Sequence, residues 1–240
     1  MTAPLDGVEA TIQGQLRASA PPAAPVRWVS DCMDVAHMDR FDPVQARAAV
    51  ALVTLKVCEG CDAPDPLFMG RYAACAAVGY PEIEGYQFGT NAHPGEVQWA
   101  DFQRRWDATC EDHGRDPRAV AVWLDCEPEH GSEMSADKAR AWLRTGRAAG
   151  YQAGLYGFES NLRGVFTDPL DEVGQYPLWL AWYGPDPATV SLDKLPAPWR
   201  KTGATRWQYS DGANHPARTD LYPVDVPGCG RPDRSCRRVP

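Results

Sequence analysis

One segment of the chain has residue types and spacing suited to proton chemistry: "AVWLDCEPEHG", residues 121–131. Four apolar residues, Ala121 to Leu124, run up to Asp125, and Glu127, Glu129 and His130 follow closely. If the apolar run is a strand, residues i and i+2 project to one side with Cα atoms roughly 6–7 Å apart. Asp125 and Glu127 then share one pocket, and Cys126 faces the other way as packing. Carboxyls gathered in one pocket raise one another's pKa, because each ionisation disfavours the next. One member can keep its proton near neutral pH and act as a general acid. A carboxyl pair flanked by Trp and Tyr is the equipment of glycoside hydrolysis: an acid on the leaving oxygen, an anion opposite the developing positive charge, and aromatic faces against sugar rings. Glu129 and His130 read as rim loop, outside the chemistry.

Such a pair needs strands whose ends converge. From Trp28 onward, short apolar runs alternate with amphipathic or Ala-rich segments. The runs are "WVSDCMDV", "VALVTLKV", "IEGYQF", "VAVWLD", "AGLYGF", "LWLAWY", "TRWQYS" and "TDLYPVD". Helices are expected over 43–50, 67–78, 96–113 and 136–149. Asp42 before Pro43 and Ser135 before the Ala-rich segment are start signals, and Gly79 and Gly150 stand where helices should stop. Repeated strand–helix alternation predicts a mostly parallel sheet. Eight strand candidates in a single domain predict an α/β fold of the irregular, TIM-like barrel kind, its last strands joined by loops. A doubly wound open sheet is the alternative, weakened by the lack of a GxGxxG after any strand.

In a barrel, functional residues gather at the C-terminal strand ends. Those ends carry Asp34, Glu59, Tyr86 with Gln87, Asp125 with Glu127, Tyr156, Tyr183, Gln208 with Asp211, and Asp220. The expected mouth is acidic and aromatic, with almost no basic residues. Any one of these acids alone reads equally well as a helix cap or a solvated group; their convergence on one face favours a site.

The net charge of −8 over 240 residues argues against nucleic-acid binding. No apolar run reaches the length of a membrane span, so membrane insertion is not expected. The start, "MTAPLDGVEATIQGQ", lacks a basic stretch followed by an apolar one, so no Sec-type signal is read there. Residues 1–26 end in "ASAPPAAPV" and read as an N-terminal arm or linker, 27–226 as the barrel, and 227–240 as a C-terminal tail. Cys58 and Cys61 form a lone CxxC with no second pair at zinc-ribbon spacing, so no metal site is read. Cys229 and Cys236 could close a small loop, but eight cysteines leave connectivity open. No cofactor is expected.

Seven stretches, in order from residue 28 to about 225, resemble motifs of glycoside hydrolase family 25, the Chalaropsis-type lysozymes (N-acetylmuramidases). They are "CMDVAH", "KVCEG", "EGYQF", "LDCE", "PLWLAWY", "WQYSDG" and "TDLY". The resemblance implies a (β/α)5(β)3 barrel that cleaves the β-1,4 bond between N-acetylmuramic acid and N-acetylglucosamine in peptidoglycan. It implies Glu127 as general acid/base and Asp125 as the partner that orients or stabilises the substrate's acetamido group. Asp34 and Asp220 complete the carboxylate ring. Tyr86 supports the acetamido group, Trp182, Tyr183 and Trp207 line the groove, and Glu59 and Tyr156 contact substrate. The chain departs from the family at Gln87, where the family has histidine, and at Val57-Cys58, where it has Ala-Thr. Those departures imply altered substrate subsites or lower activity. The expected partner is the peptidoglycan glycan strand and the expected state a monomer. The expected setting is a phage lysin, released from the host cytoplasm through a holin pore or carried in the virion. A non-catalytic glycan-binding or virion module on the same barrel is the alternative; intact carboxylates count against it. A chitin-type barrel would carry D-x-x-D-x-D-x-E, and "VWLDCE" lacks the earlier aspartates.

Overall fold

Strands and helices alternate as the apolar periodicity dictates. The computed structural model describes residues 27–36, 39, 41–48, 50–128, 134–183, 185, 187–210 and 233–239, with backbone alone for 27–31, 210 and 233–239. In chain order the elements are β1 (Arg27–Val35), α1 (Pro43–Arg47), β2 (Leu52–Glu59), a two-residue β3 (Ala63–Pro64), α2 (Phe68–Ala77) and β4 (Glu82–Phe88). There follow α3 (Gly95–Asp112), β5 (Ala121–Asp125), α4 (Ala136–Ala148), β6 (Gln152–Phe158), α5 (Glu159–Val165), β7 (Leu178–Ala181), β8 (Arg206–Ser210) and β9 (Asp233–Val239).

The four expected helices form within a few residues of their expected bounds, and local chemistry sets their ends. The Asp42 carboxylate accepts the amides of Val44 at 2.9 Å and Gln45 at 3.3 Å, with Pro43 opening α1. Ser135 precedes α4 but its side chain makes no cap; its own amide donates to Asn91 Oδ1 at 2.9 Å. Gly79 and Gly150 carry φ of 76° and 87°, the left-handed turn that glycine takes without strain. The short α5 was not expected, because its seven residues carry too little periodicity to register.

The sheet is curled and mostly parallel. β1, β2, β4, β5, β6, β7 and β8 run side by side in the same direction. β9 lies antiparallel between β8 and β1, and β3 adds an antiparallel pair to the edge of β2. This corrects the sequence reading in one place. The expected last strand, "TDLYPVD", lies outside the described residues, and the strand between β8 and β1 comes from the stretch read as a tail. Its sequence, "DRSCRRV", has no apolar alternation. Backbone N–H and C=O groups drive such pairing whatever the side chains are, and a strand bonded on both edges leaves few of them unmet.

Side chains alternate between two cores. The outward face packs under the helices: Leu55, Val122, Leu124, Leu155 and Leu180 meet Trp99, Phe102, Trp106 and Trp142. The buried indoles there are satisfied, Trp106 Nε1 donating to Pro117 O at 3.0 Å and Trp142 Nε1 to Gln87 Oε1 at 2.6 Å. The inward face forms a separate cluster of Tyr86, Trp123, Tyr156, Trp179 and Ala181. Gly154 belongs to that inner face, where a Cβ would meet the Trp123 ring at 2.5 Å. The glycine makes the room that the indole fills.

The lumen is layered. Thr54, Glu84, Trp123, Trp179 and Arg206 form its floor. Two residues further along the same strands stand Lys56, Tyr86, Asp125, Ala181 and Gln208, which, with Asp34 and Tyr156, form the layer above. In the floor, Glu84 Oε2 accepts from Arg206 Nη2 at 2.6 Å, Trp123 Nε1 at 2.8 Å and the Thr54 hydroxyl at 3.1 Å. Arg206 Nη1 donates to Thr54 Oγ1 at 2.9 Å, and its guanidinium lies 4.9 and 4.6 Å from the Trp123 and Trp179 ring centroids.

Candidate active site

The upper layer brings three carboxyls together from two strand ends. Asp34 sits near the end of β1, Asp125 at the end of β5, and Glu127 two residues beyond. Asp125 and Glu127 share a side, as the strand spacing predicts. The Glu127 amide donates to Asp125 Oδ1 at 2.9 Å. Cys126 is buried in the outer core.

All three carboxyls are held above their ordinary range, and burial is the first cause for each. Asp34 is pushed up to about 7 by desolvation, then by Asp39 and Glu127, against the Gln208 hydrogen bond and the Arg206 charge. Asp125 is held well up by desolvation and then by Glu127, while the Glu127 amide and Lys56 pull it down. Glu127 is pushed up to about 7 by desolvation, opposed by hydrogen bonding with the Tyr156 hydroxyl. Its Oε1 is buried and finds no hydrogen-bond partner among the described residues. A buried polar atom left so is costly, and functional sites are where such costs are kept.

Gln208 ties the layer together. Its Oε1 accepts the Tyr156 hydroxyl at 2.7 Å and the Tyr183 hydroxyl at 2.9 Å, and its Nε2 donates to Asp34 Oδ1 at 3.2 Å. Tyr86 completes the wall, buried against Asp125 and Asp34, whose charges add to burial in pushing its hydroxyl upward. Phe158 meets Tyr183 edge-on at 5.5 Å at the rim.

The structure brings Asp34, Tyr86, Asp125, Glu127, Tyr156 and Tyr183 to one place. Glu59 stands beside them at the end of β2, half-buried and paired with Lys56 Nζ at 2.9 Å. Asp220 and Asp211 lie outside the described residues, as do Glu129 and His130. Trp207 is not in the groove: it is 1% exposed, in the outer core. Its Nε1 donates to Trp182 O at 2.9 Å and the two indoles stack at 5.5 Å, so Trp182 packs against the outer layer as well. The reason is strand alternation: Arg206 and Gln208 point inward, so Trp207 between them points outward.

The same alternation changes what the departures from the family motifs mean. Gln87 faces outward and is fully buried, donating to Gly60 O at 2.6 Å and accepting from Trp142. A register shift between Lys56 and Cys58 turns both Val57 and Cys58 into the outer core. Neither departure touches the lumen, so neither alters a substrate subsite directly. Burial also pushes the Cys58 thiol up to about 12, which keeps the CxxC cysteine a neutral packing group.

Sequence reading passed over Lys56 and Asp39 and left Gln208 without a role. The signal for Lys56 is a lysine inside an otherwise apolar strand, two residues past Thr54. Asp39 had no such signal. It enters through a turn in which the Ala36 amide donates to Asp39 Oδ2 at 2.6 Å, and Arg71 clamps Ala36 O and Asp39 O at 2.5 Å each.

A carboxyl set at the C-terminal ends of a curled parallel sheet, walled by tyrosines, suits glycoside hydrolysis. Residues 33–217 match the model of glycosyl hydrolases family 25, and the chain belongs to that family. A search of curated proteins finds no match. Among solved structures, the chain is similar to a family 25 lysozyme from Aspergillus fumigatus, with TM-score 0.66 and 19% identity over 89% of this chain and 95% of that one. It is similar to a bacterial lysozyme from Streptomyces coelicolor, with TM-score 0.59 and 22% identity over 87% and 91%. The catalytic domain of the endolysin ply40, from bacteriophage P40 of Listeria monocytogenes, matches with TM-score 0.63 and 15% identity over 87% and 93%. At these identities the likeness is one of fold.

Proposed function

We propose that the chain hydrolyses the β-1,4 bond between N-acetylmuramic acid and N-acetylglucosamine in peptidoglycan, with Glu127 as general acid/base. The observation that carries this reading is the Glu127 carboxyl: buried, protonated up to about pH 7, and with Oε1 lacking a partner among the described residues. A group in that state can hand a proton to a glycosidic oxygen arriving in the lumen. Asp125, receiving the Glu127 amide, is the anion that orients or stabilises the acetamido group. Asp34 tunes the set through Gln208, and Asp220 completes the ring. Tyr86, Tyr156, Tyr183 and Glu59 bind sugar.

On this reading 27–226 and β9 make one (β/α)5(β)3 barrel, with residues 1–26 serving as an N-terminal arm or linker. The protein works as a monomer on the bacterial wall as a phage lysin, reaching it through a holin pore or with the virion. The endolysins among its structural neighbours support that setting. Among the described residues no helix is long and apolar enough to cross a membrane.

The test is digestion of bacterial peptidoglycan by the purified protein, with new reducing ends identified after borohydride reduction. Muramitol ends are expected, and Glu127→Gln should lower their rate of release by at least ~100-fold. Equal release by the wild type and that variant rules the assignment out.

A further inference from the structure

A phenol carries a single proton, and where that proton goes decides whether the oxygen can donate or only accept. In this lumen two phenols meet on one amide oxygen. Gln208 Oε1 takes the Tyr156 hydroxyl at 2.7 Å and the Tyr183 hydroxyl at 2.9 Å, while Nε2 donates to Asp34 Oδ1 at 3.2 Å. Gln208 is fully buried. Its backbone carbonyl accepts the Trp182 amide at 3.0 Å, which ties the chain just before Tyr183 to β8 as well. The rings are also held, Tyr156 with its centroid 4.6 Å from that of Trp179 and Tyr183 edge-on to Phe158 at 5.5 Å.

Asp34 selects which way the amide faces. Turned over, Gln208 would set its carbonyl against Asp34 Oδ1, oxygen against oxygen whenever that carboxyl is ionised. We propose that Gln208 is a positioning residue of this site: it draws the hydroxyl protons of Tyr156 and Tyr183 onto its own carbonyl, so both phenol oxygens meet the substrate only as acceptors. The wall they form then selects a sugar group that donates a hydrogen bond. This inference rests on the proposed glycosidase reading and says what chemistry its tyrosine wall recognises. Both tyrosines stand beside the reacting groups. Tyr156 pairs in register with Asp125, and Tyr183 lies two residues past Ala181, which pairs with Gln208. Glu127 competes for the Tyr156 proton only as an anion; protonated, it donates to that oxygen and leaves the phenol proton on Gln208. A substrate group able only to accept would find neither proton on offer and would press lone pair against lone pair.

The test follows the phenol protons themselves. Full-length protein carrying 13Cζ-labelled tyrosine is placed in mixed H2O and D2O, where a hydroxyl held in a buried hydrogen bond exchanges slowly and gives a separate signal for each isotope. Tyr156 should show that splitting in the wild type and lose it in Gln208→Met. On peptidoglycan, Gln208→Met should raise KM by about tenfold, because phenols free to turn are no longer preset for a donating group. In a background of Tyr156→Phe with Tyr183→Phe the same change should add nothing to KM, since Gln208 acts through those two oxygens. Gln208→Glu at pH 5, whose protonated carboxyl keeps one donor and one acceptor, should bring KM back toward the wild type. A Tyr156 hydroxyl that already exchanges fast in the wild type overturns the proposal, and that result does not depend on how any variant folds. A fall in kcat at unchanged KM in Gln208→Met, or a KM effect of equal size in the background without phenol oxygens, overturns it too. Because the exchange measurement needs no turnover, a wild type that releases no muramitol would refute the proposed reaction while still deciding where the phenol protons lie.

Discussion

The floor and the mouth of the lumen are two polar layers one strand period apart, and they treat charge in opposite ways. In the floor, Glu84 and Arg206 are 4% and 3% exposed, and the pair is fully serviced by Thr54, Trp123 and the two indole faces. In the mouth, Asp34, Asp125 and Glu127 crowd together with one buried ammonium nearby, and all three are held toward the protonated state. The floor spends its charged groups on one another, with Trp179 Nε1 left without a partner among the described residues, so it is a structural plug. The mouth leaves its groups short of partners, which is what a site must do to bind and protonate something else. Burial alone therefore does not mark function; the balance of charge does, paired in the floor and one-sided in the mouth.

The contrast is broken most severely at the floor. Arg206→Met leaves Glu84 buried without its counter-charge and should cost about 3–5 kcal/mol, read as a lower denaturant midpoint. The double change Arg206→Met with Glu84→Gln should recover much of that loss. If the single change costs nothing, the floor is not the plug described.

At the mouth the expected sign is reversed. Asp125→Asn should reduce peptidoglycan cleavage by about 100-fold while the unfolding midpoint stays level or rises, because a carboxylate whose charge burial opposes is replaced by a neutral group. A concurrent loss of stability would place Asp125 with the floor.

A smaller effect is expected in stability against pH. The folded-state pKa of Asp34 is raised, so between the ordinary aspartate range and about 7 the native state holds a proton that the unfolded chain has lost. Stability must therefore fall as pH rises through that window and level off above it. Asp34→Asn should flatten the fall and raise the thermal midpoint at pH 8 by about 2–4 °C, the shift ~1 kcal/mol produces in a chain of this size. Calorimetry at pH 5 and pH 8 checks it, with the smaller change due at the lower pH.

The smallest effect sharpens the boundary between lumen and outer layer. Gln87→His alters a residue bonded to Gly60 and Trp142 outside the sheet. It should change thermal stability modestly and leave KM for peptidoglycan unchanged. A shifted KM would mean that the outer layer reaches the substrate after all.

The strands, the four longer stretches of helix and the Asp125–Glu127 pair were legible because each rests on local periodicity. Trp207 was misplaced for want of one fact, its parity relative to Gln208, and the departure at Gln87 was read as bearing on substrate subsites for the same reason. A motif names residues without saying which face they take, and a one-residue bulge after Lys56 is enough to turn Val57 and Cys58 to the same side. The closing strand β9 carried no apolar pattern to read, since its place is set by backbone pairing with β1 and β8.

The sequence by itself determined the alternation of strand and helix, the inward pairing of Asp125 with Glu127 and the outward turn of Cys126, because these follow from spacing within one strand. Tertiary structure decided which carboxyls lose their water, that Gln208 joins Tyr156, Tyr183 and Asp34, and that Lys56 lies over the Phe88 ring while Arg206 is consumed by Glu84. Those outcomes depend on residues up to 174 positions apart meeting across the lumen. A protonation state is set by the sum of such neighbours, and no stretch of sequence contains that sum.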